Sequence, residues 1–99
     1  MLDIKKTVEG GMAIFSLSGR LDTTTAPDLE KEIMSSTDGI TDLELDMQKL
    51  DYISSAGLRV LLAAQKLMNK QGKMTIRNAN ESVMEIFEVT GFSDILSIE

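Results

Sequence analysis

Ile4 to Val8 and Met12 to Leu17 are two strand-like runs of apolar and polar positions, with Gly10-Gly11 between them. A glycine pair between two such runs suits a tight turn. The chain is therefore expected to open with a β-hairpin. Thr23-Thr24-Thr25-Ala26-Pro27 then marks a helix start, with Thr25 as cap and Pro27 in the first turn, where its missing N–H costs nothing. This helix should run to about Met34, turning Leu29, Ile33 and Met34 inward, and Ser35-Ser36-Thr37-Asp38-Gly39 ends it. Leu43, Leu45 and Met47 alternate with Asp42, Glu44 and Asp46 in a third strand, which places the three carboxylates on one solvated face.

Beyond Leu50-Asp51-Tyr52-Ile53, the junction Ser54-Ser55-Ala56-Gly57-Leu58 opens a long helix. It carries Leu58, Leu61, Leu62, Gln65 and Met68 at the helical repeat and finishes near Gln71-Gly72. Lys73 to Arg77 reads as a fourth strand, with Met74 and Ile76 opposing Lys73, Thr75 and Arg77. Asn78-Ala79-Asn80 breaks it. Ser82 to Thr90 forms a last amphipathic helix through Val83, Ile86, Phe87 and Val89, closed by Gly91. Phe92, Ile95, Leu96 and Ile98 supply an apolar tail that packs back. The order of elements gives an α/β fold: one sheet with helices, mixed in strand direction because it opens with a hairpin.

Ninety-nine residues with 42% hydrophobic content suit one domain spanning 1–99 and one core. No apolar run approaches a membrane span, and Met1-Leu2-Asp3-Ile4-Lys5-Lys6 lacks a signal-peptide apolar region. Without cysteine there is no disulfide framework, which is compatible with the cytoplasm. Without cysteine or histidine the usual zinc ligands and the usual general base are missing, and no cofactor or metal site is expected. A net charge of -6, with one Tyr and three Phe as the only aromatics, argues against nucleic acid and against an acidic membrane surface. A protein partner fits better.

The serine junction carries the most chemistry. A hydroxyl there accepts from the unpaired N–H groups of the first helical turn, and the same groups and the helix dipole tolerate an added phosphate. From the residues alone the junction is a helix cap or a phosphorylation switch, with the N–H groups of Gly57 and Leu58 expected to face a phosphate on Ser55. Arg59, in the first turn, opposes the dipole and should be exposed.

Gly19-Arg20-Leu21-Asp22 after a strand, followed by Leu50 to Leu62 with its Ser-Ser-Ala-Gly-Leu junction, closely resembles the bacterial anti-sigma-factor antagonists, small single-domain members of the STAS family. Glu88-Val89-Thr90-Gly91-Phe92 before an apolar tail resembles the end of those proteins, so the similarity covers essentially the whole chain. The resemblance implies a mixed sheet of four strands, or five, with helices mainly on one face. It also implies that the unphosphorylated protein binds an anti-sigma factor that is a serine kinase, releasing the sigma factor. ATP-dependent phosphorylation of Ser55 ends that binding, and a PP2C-type phosphatase resets it. The protein would be a kinase substrate and not an enzyme. The family usually carries Asp where this chain has Ser54, which becomes a second candidate acceptor. Asp22 matches the family's loop Asp, and Asp22, Thr23, Ser54, Ser55, Ala56, Gly57 and Arg59 form the expected partner surface. Gly57 would keep the approach to the serine open. Two other classes compete: a non-switching STAS adaptor of a lipid-transport ATPase or another signalling complex, and an enzyme using Asp22, Asp46 or Asp51. No carboxylate pair at a recognisable spacing supports the latter.

Overall fold

The computed structural model describes residues 1–99. The chain runs β1 (Leu2–Glu9), β2 (Met12–Leu21), α1 (Ala26–Ser36), β3 (Asp42–Ile53), α2 (Ser55–Gln71), β4 (Lys73–Arg77) and α3 (Glu81–Thr90), with a 3₁₀ turn at Phe92–Asp94. β1 and β2 pair antiparallel, Glu9 facing Met12 across the Gly10-Gly11 turn. β2 with β3, and β3 with β4, pair parallel, so the sheet order is β1-β2-β3-β4. Parallel neighbours cannot be joined by a tight turn, and α1 and α2 make the crossovers. The expected mixed four-stranded sheet is present. A fifth strand is reduced to a single bridge: the Ile76 N–H donates to the Ser97 carbonyl, and the Glu99 N–H donates to the Ile76 carbonyl, both at 2.8 Å. This bridge satisfies part of the outer edge of β4.

Phe15 and Leu17 of β2, Leu43, Leu45 and Met47 of β3, and Met74 and Ile76 of β4 are all buried. Leu29 and Ile33 of α1, Leu61 and Met68 of α2, and Val83 and Phe87 of α3 join them in one core cluster. The other sheet face carries the acidic ladder. Asp42 pairs with Lys73 at 3.7 Å, Glu44 pairs with Arg77, and Asp46 accepts from the Gln48 N–H at 3.0 Å and the Asn78 amide at 3.2 Å. These carboxylates therefore form a solvated face on which Asp42 and Glu44 are ion-paired and Asp46 is hydrogen-bonded. No helix is long and apolar enough to cross a membrane.

Three apolar residues sit outside their expected places. Met34 is 43% exposed and Val89 is 81% exposed. Leu29 and Ile33, like Val83 and Phe87, are four apart and set a narrow stripe; Met34 and Val89 fall off it by one and two helical steps. Ile95 of the tail also faces out, while Leu96 is buried.

β3 continues through Leu50-Asp51-Tyr52-Ile53, a stretch whose spacing of apolar residues breaks the period of two. Pairing moves from Ser16–Asp46 to Ser18–Lys49 and from Gly19–Leu50 to Arg20–Tyr52, so β3 gains an extra residue against β2 twice. Bulges of this kind re-aim a strand. Here they let Leu50 and Ile53, three apart, both face the core, and they bring the end of β3 beside the end of β2.

Candidate functional site

The N-terminus of α2 emerges where these two strand ends lie together, Leu21 opposite Ile53. The Ser54 N–H donates to the Leu21 carbonyl at 2.8 Å, which fixes Ser54 as the last extended residue before the helix. Ser54 is half-buried and its hydroxyl accepts from the Gly57 N–H at 3.3 Å, while its carbonyl accepts from Leu58 at 2.9 Å. Ser54 is therefore the cap. Ser55 is the first helical residue, exposed, and its hydroxyl has no hydrogen-bond partner. The N–H groups of Gly57 and Leu58, expected to face a phosphate, are both held by Ser54. The N–H groups left free are those of Ser55 and Ala56. Replacing the cap, Ser54→Ala, is expected to lower stability by about 1 kcal/mol, read as a fall in Tm of about 4–8 °C in a thermal melt.

Gly57 is buried and turned inward. A Cβ at this position would stand 2.7 Å from Leu21 Cγ and 2.9 Å from Ile53 Cγ1. The absence of a side chain lets the first turn of α2 sit directly on the two strand ends. Arg59 is exposed and in no ion pair; at four residues from Ser55 it shares that residue's side of the helix.

The loop after β2 forms the other half of the site. Asp22 Oδ1 accepts from the Thr24 N–H at 3.0 Å, the Thr24 hydroxyl at 2.8 Å and the Thr25 N–H at 3.1 Å. Thr25 occupies the cap position of α1 but does not cap it. Its backbone is already helical, and its hydroxyl instead accepts from the Asp22 N–H and donates to the Arg20 carbonyl, both at 2.8 Å. Asp22 is thus built into the loop as well as displayed by it, and Thr23 projects at the exposed tip. The Thr24 hydroxyl bond, aided by the N–H donors of Thr25 and Thr24 and opposed by desolvation, holds the Asp22 carboxyl below its ordinary pKa. A depressed pKa stabilises the fold above the ordinary carboxylate range and loses that contribution as pH falls through the folded value. Thr24→Ala should move the Asp22 titration, followed by carboxyl-carbon NMR, back toward the ordinary range.

Two residues whose role sequence reasoning missed complete the surface. Arg20 and Tyr52 are paired across β2 and β3, with the guanidinium carbon 4.4 Å from the ring centroid. Arg20 Nε also lies 3.8 Å from Asp22 Oδ2. Both residues stand in the quoted motifs, but only the shifted register reveals that they meet. A concavity of about 550 Å³ lies elsewhere, on the open sheet face between Lys5, Ser16, Ser18, Asp46 and Lys49. The serine junction is a displayed surface and not a cleft, which suits docking more than enclosed chemistry.

The STAS domain family model matches residues 3–99. BtrV of Bordetella bronchiseptica is 41% identical over 90 residues, covering 89% of this chain and 78% of its own. The anti-sigma-B factor antagonist of Listeria monocytogenes is 31% identical over 101 residues, covering 99% of this chain and 87% of its own. Among solved structures, an anti-sigma factor antagonist from Mycobacterium paratuberculosis superposes with a TM-score of 0.89 at 22% identity, over 99% of this chain and 85% of that one. The Bacillus cell fate determinant SpoIIAA in its phosphorylated form superposes with a TM-score of 0.75 at 15% identity, over 100% and 91%.

Proposed function

The chain belongs to the STAS domain family, and from that premise we propose that it is an anti-sigma factor antagonist whose binding is switched off by phosphorylation of Ser55. One observation carries this reading: Ser55 presents an exposed, unbonded hydroxyl at the start of α2, beside the Asp22-Thr23 loop. Residues 1–99 act as one unit. The unmodified surface of Asp22, Thr23, Ser54, Ser55, Ala56 and Arg59 docks on an anti-sigma factor with serine kinase activity, with Gly57 seating the helix beneath it. The relatives named for this activity, and a phosphorylated protein of the same fold, support the assignment.

In the kinase reaction the Ser55 oxygen bonds to the γ-phosphorus of ATP, the bond to the bridging oxygen breaks, ADP leaves, and the hydroxyl proton passes to the kinase or solvent. A PP2C-type phosphatase returns the serine and inorganic phosphate by hydrolysis. The chain is a substrate in both steps and a catalyst in neither. Ser54 does the capping that an Asp would do at the same place, so the departure from the family pattern leaves the local geometry intact. The capping bond and half-buried position of Ser54 favour Ser55 as the acceptor.

Intact-mass measurement of protein purified from its native cells, with fragmentation, tests this directly. The expected result is a phosphate mapped to Ser55. No phosphate under any growth condition, with stable co-purification of a transport ATPase, would replace the switch by the adaptor reading.

A further inference from the structure

The Arg20–Tyr52 pair is not explained by folding. Arg20 is 55% exposed along its side chain and Tyr52 is 38% exposed, yet the guanidinium is held on two sides, by the ring face and by Asp22. These contacts use the plane of the guanidinium and its Nε. The terminal Nη donors have no acceptor in the fold, and the Tyr52 hydroxyl has no partner. Of the chain's other arginines, Arg77 is consumed by Glu44 and Glu99, and Arg59 is a free side chain on a helix. Asp51, the exposed acid next to Tyr52, makes no ion pair with Arg20.

Arginine recognises a carboxylate through two parallel N–H bonds, and an arginine already oriented loses less freedom on binding than a loose one. Arginine and tyrosine are also among the side chains that dominate interface energetics once a partner covers them. The pair adjoins the proposed docking surface, because the Ser54–Leu21 hydrogen bond ties its two strands together immediately beyond it. In a chain of net charge -6, an oriented cation at that edge selects a local acid on a partner whose overall attraction is to negative charge.

We propose that Arg20, stacked on Tyr52, is a docking determinant that receives a carboxylate side chain of the anti-sigma partner, a contact separate from Ser55. This rests on the function proposed above. The probe is the anti-sigma factor that co-purifies with the Ser55→Ala chain, purified alone and titrated calorimetrically against full-length variants. Arg20→Gln is expected to weaken binding about tenfold or more, with Arg20→Lys failing to restore it and Tyr52→Leu weakening it too. The combination Arg20→Gln with Asp22→Asn should weaken binding beyond Asp22→Asn alone, because a direct contact adds to the loop's contribution. Equal binding by Asp22→Asn with and without Arg20→Gln would reduce Arg20 to a positioning residue for Asp22 and overturn the proposal. Arg20→Gln and Tyr52→Leu both binding within twofold of the parent, while Ser55→Asp still loses binding, would overturn this inference alone. If Ser55→Asp also bound normally, the function itself would fail, and this inference with it.

Discussion

A chain carrying phosphoserine at position 55 is expected to bind its anti-sigma partner at least about a hundredfold more weakly than the unmodified chain, with its fold intact. The phosphate brings about -1.5 to -2 charge and three strong acceptors. At the first helical position it meets the free N–H groups of Ser55 and Ala56, the positive end of the helix dipole, and Arg59 one turn along. The core contacts of α2 through Gly57, Leu61, Ala64 and Met68 lie on the other side of the helix from Ser55, so these do not have to move. The penalty falls on the complex, where a surface built for a neutral hydroxyl must bury a dianion. Such burial costs several kcal/mol, and each 1.4 kcal/mol is tenfold in affinity. Calorimetric titration measures the loss. Ser55→Ala should bind like the unmodified chain, and Ser55→Asp should fall between the two, since a carboxylate carries less charge than a phosphate.

Gly57→Ala is expected to destabilise the fold by about 1–3 kcal/mol, the range for an overpacked interior. That corresponds to a fall in Tm of roughly 4–24 °C for a domain of this size. The added methyl would stand well inside contact distance of Leu21 and Ile53, both fully enclosed. Relief comes only by lifting the first turn of α2 off the strand ends. Partner affinity should therefore fall as well, although the hydroxyl of Ser55 is untouched. A melt together with a titration checks both effects; a variant with parental Tm would show that the helix does not rest on Leu21 as described.

The element order was legible because helical periodicity holds through α1 and α2, alternation holds through the first half of β3 and through β4, and a glycine pair separates the two opening runs. The second half of β3 was not, because its two bulges put Leu50 and Ile53 on the core face three residues apart. That spacing departs from the period of two of a regular strand and matches one that a helix also uses. The serine junction was legible in position but not in its division of labour. Two consecutive serines both satisfy the preference for a cap, and the choice is made by a tertiary hydrogen bond from Ser54 to Leu21. Thr25 shows the converse: a good capping residue is drawn away by the Asp22 N–H and the Arg20 carbonyl. Arg20 meets Tyr52 only through parallel pairing at a shifted register, and a crossover connection leaves no local trace of register.

Under the proposed function, one hydroxyl controls the release of a sigma factor. Its most direct measurement adds this chain to a preformed complex of the anti-sigma factor with a labelled sigma factor and follows the free sigma. Unmodified chain should displace sigma stoichiometrically, and chain phosphorylated at Ser55 should displace almost none at the same concentration. Equal displacement by the two forms, or none by either, would rule out a phosphorylation switch at Ser55.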